Sequence, residues 1–147
     1  MQVKDIMTKN PVFIGPDDSI TAAARKMIDI DCGVLPVGEG KKRCVGIITD
    51  RDIVLRTLIR DGDPKESKVK DSMTSKVYSC QEEDTLEKAA ILMREYQVNR
   101  LIVKDKDTNI TGIITFGSML WKTKSASEVG RILDHAAPRK LAAPICH

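Results

Sequence analysis

The sequence predicts a mixed α+β (α/β) fold in which one β-α-β-β-α unit occurs twice and the two copies pack as a pseudo-twofold pair. The first observation behind this prediction is an internal repeat, because Val3–Val54 aligns with Val69–Leu120 without a gap. The second is the order of apolar patterns in each copy, which alternate between strand and helix periods. Two copies are too few for a solenoid, so paired half-domains are the expected arrangement.

The two copies share identical residues in the same register. Val-Lys-Asp-x-Met-Thr occurs at Val3–Thr8 and Val69–Thr74, and Gly-Ile-Ile-Thr occurs at Gly46–Thr49 and Gly112–Thr115. Register kept over so long a mixed sequence indicates a duplication. The expected parts of the chain are repeat 1 at 1–66, repeat 2 at 67–122 and a C-terminal tail at 123–147.

Each copy begins with an extended piece followed by an amphipathic helix. Extended pieces are predicted at Val12–Ile14 and Val77–Cys80, and the helices begin near Ser19 and near Thr85. In the second copy Asp84 and Glu87 have the spacing of a capping box. Apolar residues at helical spacing define one face of each helix: Ile20, Ala23, Ala24, Met27 and Ile28 in the first, and Leu86, Ala89, Ala90 and Met93 in the second.

Two strands and a second helix complete each copy. The predicted elements are strands Val34–Val37 and Cys44–Ile48 with helix Asp50–Arg60 in the first copy, and strands Leu101–Val103 and Ile110–Ile114 with helix Phe116–Lys122 in the second. In the tail, Ser127–His135 is expected to form a short helix with Val129, Ile132 and Leu133 on one face.

Composition places the chain among globular proteins. It has 147 residues, of which 41% are hydrophobic and 31% charged. It contains no apolar run of the length that a membrane span needs and no secretory signal pattern, so we expect a cytoplasmic protein without a membrane partner. The net charge of +3 and the 3% of aromatic residues make a nucleic-acid partner an unfavoured expectation.

Cysteine and histidine usage leaves little room for catalysis or metal binding. The four cysteines lie far apart, and both histidines fall in the tail. Cys146 and His147 would need ligands from elsewhere to hold a metal, so no metal site is predicted. Cys80 has two interpretations: a small buried residue, which the pattern favours, or a redox-sensitive contact.

The segment Gly46–Asp52 marks a passage from strand to helix. Thr49 is placed to cap the helix, and the free backbone N–H groups of the first turn favour an anion such as phosphate. The carboxylate of Asp52, at the third helical position, can accept two hydrogen bonds from a cis-diol such as that of ribose. Alternatively Asp52 only completes the helix cap, and spacing by itself leaves both interpretations open.

The repeated Met-Thr pair, Gly33–Val37 and Gly46–Asp52 resemble the motifs of the cystathionine β-synthase (CBS) domain, present here as a stand-alone tandem pair or Bateman module. The resemblance covers roughly residues 1–122, and both copies carry it in register. It implies two β-α-β-β-α repeats packed through their sheets, with clefts that bind an adenosyl ligand: AMP, ADP, ATP or S-adenosylmethionine. It also implies a homodimer.

The resemblance assigns roles to individual residues. Thr49 would lie near phosphate and Asp52 on the ribose. By similarity to the gamma subunit of AMP-activated protein kinase, Arg100 would reach phosphate. The other ligand-binding residues implied are Tyr78 and Ser79 beside the adenine, Ile47 on its other side, and Val98 and Asn99 next to Arg100.

The second copy departs from the family pattern. Ser118 replaces the aspartate, and Val34 stands where the arginine would be wanted. A hydroxyl offers one weak bond where a carboxylate offers two charge-assisted ones, a loss of about ten- to a hundredfold in affinity. We therefore expect one good site and a weaker second site at Thr115 and Ser118.

These observations favour a non-enzymatic regulatory module that binds an adenosyl ligand, requires no further cofactor, and signals to a separate protein by changing conformation. One alternative is a nucleotide hydrolase, but the motif brings no general base beside Thr49 and no catalytic residue is predicted. The other is a structural or interaction dimer, or a nucleic-acid-binding module that uses the basic turn at Lys41 and Lys42.

Overall fold

The computed structural model describes residues 1–136, which form two compact units. The first, here called the Asp52 unit, comprises Asn10–Val77 and Lys106–Thr111. The second, the Ser118 unit, comprises Met1–Lys9, Tyr78–Asp105 and the chain from Gly112 onward. Each unit therefore contains residues of both sequence repeats.

Helices and short strands alternate along the chain as the two repeats predict. In chain order the elements are α1 (Val3–Ile6), β1 (Thr8–Lys9), α2 (Ile20–Ile30), β2 (Val34–Gly38), β3 (Cys44–Thr49), α3 (Asp50–Asp52), a π-helical segment (Ile53–Leu58), α4 (Val69–Ser72), β4 (Ser79–Gln81), α5 (Leu86–Tyr96), β5 (Arg100–Lys104), β6 (Ile110–Thr115), α6 (Phe116–Lys122) and α7 (Ala126–Ala136).

The Asp52 unit is built around an antiparallel hairpin of β2 and β3. Val34 lies opposite Thr49 and Val37 opposite Gly46, and the predicted extended piece enters as a parallel bridge between Ile14 and Val37. Alternating side chains of the hairpin face the apolar stripe of α2. The buried core of this unit is Ile14, Ile20, Ala23, Met27, Leu35, Val37, Ile48 and Val69.

The Ser118 unit contains a four-stranded sheet in the order β1-β6-β5-β4. β1 pairs antiparallel with β6, and β4 pairs parallel with β5. The first two residues of β6, Ile110 and Thr111, belong to the Asp52 unit although the rest of the strand belongs to the Ser118 unit. The buried core is Val3, Ile6, Met7, Cys80, Leu86, Ala89, Ala90, Met93, Leu101, Val103, Ile114, Met119 and Ile132.

The leading segment of each repeat packs in the unit that holds most of the other repeat. Val69, which opens the second Val-Lys-Asp-x-Met-Thr motif, is fully buried in the core of the Asp52 unit. Val3, which opens the first motif, is fully buried in the Ser118 unit. The helices α1 and α4 within these motifs were not predicted, because four residues carry too little periodicity to show in the sequence.

The helix beginnings near Ser19 and Thr85 are confirmed, but the predicted capping box is wrong. Thr85 is the N-cap, and its Oγ1 accepts a hydrogen bond from the Lys88 N–H at 3.1 Å. Asp84 instead accepts from the Gln81 N–H at 2.9 Å, because it closes the turn before the helix. On the predicted apolar face of α2, Ile28 is 79% exposed and takes no part in the core.

The predicted helix Asp50–Arg60 is present but irregular. It is α-helical only for Asp50–Asp52 and continues as the π-helical segment to Leu58. In the second repeat α6 has the predicted bounds. Short π-helical segments occur often at functional sites, and this one begins directly after Asp52.

The predicted tail helix is confirmed as α7. Ile132 is fully buried against the core of the Ser118 unit, whereas Leu133 is 47% exposed. Cys146 and His147, considered above as metal ligands, lie outside the described residues. Within residues 1–136, no helix combines the length and the apolar character needed to cross a membrane.

Candidate ligand site

The strand-to-helix turn of the Asp52 unit has the geometry expected of an N-terminal cap. Thr49 Oγ1 accepts a hydrogen bond from the Asp52 N–H at 3.1 Å, and Asp52 Oδ2 accepts one from the Thr49 N–H at 3.1 Å. Both residues are buried, with exposures of 7% and 9%. The reciprocal bonds form a capping box, so Thr49 is the N-cap as predicted.

Capping leaves most of the accepting capacity of Asp52 unused. An ionised carboxylate offers about four lone-pair positions, and the Thr49 N–H takes one of them. Around the other positions lie the Thr74 hydroxyl, at 3.4 Å from Oδ1 and 3.5 Å from Oδ2, and the Arg56 Nε, at 3.9 Å from Oδ1. The cap and a diol-binding role are therefore compatible.

Gly46 is required by a close approach of two chain segments. The Ile47 N–H donates to the Thr74 carbonyl at 2.9 Å, and the Thr74 N–H donates to the Ile47 carbonyl at 2.8 Å. A Cβ on Gly46 would lie 2.8 Å from both the Thr74 carbonyl oxygen and the Met73 sulfur. The motif glycine thus lets the Met-Thr segment pair beside Ile47 and brings Thr74 to Asp52.

Tyr78 and Ser79, predicted beside the adenine, lie in the Ser118 unit. Ser79 begins β4, and the Tyr78 carbonyl accepts a hydrogen bond from the Ile102 N–H at 3.0 Å. The Tyr78 ring stacks on that of Tyr96, with ring centroids 4.1 Å apart and planes at 15°. Both tyrosines of the chain therefore form one stack at the edge of α5.

Val98, Asn99 and Arg100 lead into β5 in the same unit. Val98 packs against the apolar core, and the Asn99 carbonyl accepts from the Phe116 N–H at 2.9 Å. Arg100 begins β5, and its Nη1 donates to the Asn99 side-chain oxygen at 3.1 Å. Arg100 is half-buried as a residue, and its guanidinium has further donors that could serve an anion.

The second motif repeats the turn with a different side chain. Thr115 Oγ1 accepts from the Ser118 N–H at 3.0 Å, and Ser118 Oγ accepts from the Thr115 N–H at 3.2 Å. Ser118 Oγ also donates to the Thr115 carbonyl at 2.8 Å. The Ser118 hydroxyl thus both accepts from and donates to the backbone of its own turn.

The structure groups the predicted site residues by unit. Thr49, Asp52 and Ile47 lie together in the Asp52 unit, and the others belong to the Ser118 unit: Tyr78, Ser79, Val98, Asn99, Arg100, Thr115 and Ser118. Sequence reasoning missed Arg56, Thr74 and Tyr96. The spacing from Asp52 to Arg56 and the repeated Met-Thr pair were available signals for the first two.

Cys80 is a core residue in the structure. It is 3% exposed, and burial raises the pKa of its thiol from an ordinary 9.0 to about 12. The thiol is therefore protonated and unreactive near neutral pH, which supports the interpretation as a small buried residue over a redox-sensitive contact. Among residues 1–136, no cluster of His, Cys, Asp and Glu side chains could hold a metal ion.

Comparison with protein families identifies these repeated turns. A family model for the CBS domain matches residues 3–57 and again 69–122, which together make up most of the chain. The chain belongs to the CBS domain family. The predicted tandem CBS pair and the mixed fold class are both confirmed, since solved CBS-pair structures share the architecture.

Two relatives of this CBS pair match it along nearly their whole length. The protein YlbB of Bacillus subtilis (strain 168) is 35% identical over 134 residues, which cover 90% of this chain and 89% of YlbB. The CBS domain-containing protein YhcV of the same organism is 33% identical, with 95% and 97% covered. Both matches thus cover most of this chain and most of the relative.

Two solved CBS-domain structures contain adenosyl ligands. The CBS domain pair of protein MJ0100, in complex with 5′-methylthioadenosine and S-adenosyl-L-methionine, has a TM-score of 0.73 and 28% identity, with 85% of this chain and 98% of that chain covered. CBSX2, in complex with AMP, has a TM-score of 0.63 and 30% identity, with 80% and 91% covered. These two neighbours thus bind adenosyl compounds.

Proposed function

We propose that this protein is a regulatory module that binds an adenosyl ligand through Thr49 and Asp52 and signals by changing conformation. The observation that carries the proposal is the buried carboxylate of Asp52 at a helix N-terminus. Capping the helix uses only part of the hydrogen-bond accepting capacity of this carboxylate. The adenosyl ligands bound by the neighbours MJ0100 and CBSX2 support this choice of ligand class.

Each part of an adenosyl ligand has a counterpart in the proposal. The two ribose hydroxyls donate to Asp52. The expectation of free N–H groups at this turn is wrong, because the N–H groups of α3 already donate to the Gly33 carbonyl and to the side chains of Asp50 and Thr49. Arg100 supplies a cation for a phosphate. Tyr78, Ser79 and Ile47 provide apolar and polar surface for the adenine, with Val98 and Asn99 beside Arg100.

The output of the module passes to a separate protein. A ligand shifts a conformational equilibrium only by its differential affinity for the two states, so binding at Asp52 must differ between them. We propose a homodimer in the cytoplasm, and the apolar side chains exposed on the π-helical segment and just after it support such an interface: Val54, Leu55, Leu58 and Ile59.

Calorimetric titration of ligand-stripped protein tests the proposal. AMP, ADP, ATP and S-adenosylmethionine are each titrated into wild-type protein, Asp52→Ala and the control Asp29→Ala, which removes an exposed carboxylate from α2. We expect micromolar binding of at least one ligand, weakened about tenfold or more by Asp52→Ala and unchanged by Asp29→Ala.

Two results would contradict the proposal. The first is the absence of binding heat for all four ligands in protein that circular dichroism shows to be folded. The second is release of phosphate or AMP from ATP by purified protein, abolished by Asp52→Ala, which would establish the hydrolase alternative instead.

A further inference from the structure

Arg56 connects the helix that follows the Gly-Ile-Ile-Thr motif, here called the motif helix, to the end of α4 within the Asp52 unit. Its Nη1 donates to the Met73 carbonyl at 2.7 Å and lies 3.3 Å from the Ser72 carbonyl. These carbonyls end a helix and have no partner within it, so a cation placed there is favourable. On the other edge of the same guanidinium, Nε lies 3.9 Å from Asp52 Oδ1.

The π-helical segment sets the position of Arg56. It begins at Ile53, directly after Asp52, and it places Arg56 on the same side of the helix as the Asp52 carboxylate. Arg56 is 41% exposed at its side chain and Asp52 only 12%, so the guanidinium forms the outer edge of the carboxylate's surroundings. The planar fork of arginine can serve two acceptors at once in a fixed geometry.

The Ser118 unit contains the same connection made by a different residue. Lys122 is the equivalent of Arg56 in the repeat, and its Nζ donates at 3.1 Å to the carbonyl of Ile6, the equivalent of Ser72. The equivalent of Asp52 there is Ser118, which has no charge. A lysine is therefore enough to connect the motif helix to the leading segment of the other repeat. The arginine occurs in the unit that has a carboxylate, Asp52.

We propose that Arg56 is a positioning residue that holds Asp52 in the orientation in which the carboxylate accepts both hydroxyls of a ribose. The carboxylate accepts a hydrogen bond from the Thr49 N–H at 3.1 Å, the Thr74 hydroxyl lies 3.4 Å from it, and Arg56 forms an ion pair with it at 3.9 Å. A carboxylate oriented before binding loses less conformational entropy when the diol arrives, so the fixed orientation raises affinity for a diol specifically. This inference rests on the proposed function.

The test compares two probes that differ in one hydroxyl. AMP and 2′-deoxy-AMP are titrated into wild-type protein, and the ratio of their affinities measures how well the diol is recognised. Since a single charge-assisted hydrogen bond is at stake, we expect wild-type protein to prefer AMP by about tenfold. A loss of folding or of general packing weakens both probes alike and leaves this ratio unchanged.

Arg56→Lys separates the two contacts of Arg56. As Lys122 does in the other unit, the new ammonium can still donate to the end of α4, so the melting temperature is expected to stay unchanged. It lacks the second rigid donor toward Asp52, so the preference for AMP is expected to fall by about threefold. Arg56→Gln is expected to lower both the preference and the melting temperature.

Lys122→Gln is the matched control, since it breaks the same connection in the unit that has no carboxylate. We expect it to lower the melting temperature and to leave the preference for AMP unchanged. The inference is overturned if Arg56→Lys keeps the wild-type preference, or if Lys122→Gln reduces it equally. Absence of AMP binding by wild-type protein also overturns this inference, whereas the wider panel of adenosyl ligands decides the proposed function separately.

Discussion

The two units form the same turn with different side chains, and the comparison separates what the fold needs from what the carboxylate adds. The side chains of Asp52 and Ser118 each accept a hydrogen bond from the N–H of the N-cap threonine, at 3.1 and 3.2 Å. In each turn the threonine hydroxyl accepts a bond from the N–H of Asp52 or Ser118. A hydroxyl is thus enough to complete the cap. A charged and buried group at Asp52, with Arg56 beside it, exceeds the structural requirement, which supports a binding role.

The units also differ in how their first long helix is covered. In the Ser118 unit α7 packs on α5, and Ala90 of α5 is fully buried. The equivalent Ala24 of α2 is only half-buried, and nearby Ile28 is 79% exposed. Among the residues described, α7 thus buries apolar surface in the Ser118 unit, and no helix does the same for α2 in the Asp52 unit. We therefore expect the stability of the Ser118 unit to depend on α7.

The largest expected effect comes from removing that cover. Ile132→Ala deletes a fully buried side chain from the Ser118 core, with an expected loss of about 3 kcal/mol in the free energy of unfolding. Leu133→Ala, one residue further along α7, removes a side chain that is 47% exposed and should cost less than about 1 kcal/mol. Urea denaturation followed by circular dichroism measures both. Equal losses would show that α7 does not cover the core.

The next effect exchanges the side chains that distinguish the two turns. Asp52→Ser gives the Asp52 unit the hydroxyl that caps the other unit, so the free energy of unfolding should change by less than about 0.5 kcal/mol. Affinity for the adenosyl ligand should fall by about tenfold, because the charge-assisted bonds to the diol are lost. Thermal unfolding and calorimetric titration are the two measurements.

The reverse exchange, Ser118→Asp, supplies the control for that prediction. It places a carboxylate in a turn with the same cap but loses the bond that Ser118 Oγ donates to the Thr115 carbonyl, so stability should fall by about 1 kcal/mol while the affinity at Asp52 stays unchanged. If Asp52→Ser unfolds the protein while Ser118→Asp does not, the carboxylate has a structural role in its unit that a hydroxyl cannot replace. The comparison between the two turns would then no longer support a binding site.

The smallest expected effect near neutral pH comes from the Cys80 thiol, because its contribution changes only at alkaline pH. Cys80 is buried in the Ser118 unit with a thiol pKa raised to about 12, and its equivalent in the Asp52 unit is the apolar Ile14. Above pH 9 the unfolded chain releases the thiol proton while the folded chain keeps it. The contribution of this thiol to the free energy of unfolding is therefore fully present below pH 9 and is lost between pH 9 and 12. The slope from this group is at most about 1.4 kcal/mol per pH unit.

Cys80→Ala isolates that contribution. The free energy of unfolding is measured by urea at pH 8 and pH 10 for both proteins, and the drop between the two pH values should be smaller in the variant. Comparing drops within each protein removes the packing loss caused by the missing sulfur. An identical drop in both proteins would mean that the thiol does not titrate differently in the folded state.

Local patterns in the sequence predicted most of the helices and strands and the helix cap at Thr49. Strand and helix periods placed α2, α5, β2, β3, β5, β6 and α6, because each depends on residues close together in the chain. Thr49 as an N-cap followed from the same local logic. The capping box at Asp84 failed because two neighbouring residues could each accept from the helix, and the turn geometry selected Thr85.

The sequence by itself determined the duplication, the order of elements and the family, because these rest on residue types at fixed spacing. Only the tertiary structure decided that the leading segments Val3–Thr8 and Val69–Thr74 pack in units that hold most of the other repeat. It alone also brought Thr74 and the end of α4 to Asp52 and Arg56. The physical reason is that burial and hydrogen-bond pairing join residues far apart in the chain, and no local period records which distant surface will cover a given apolar side chain.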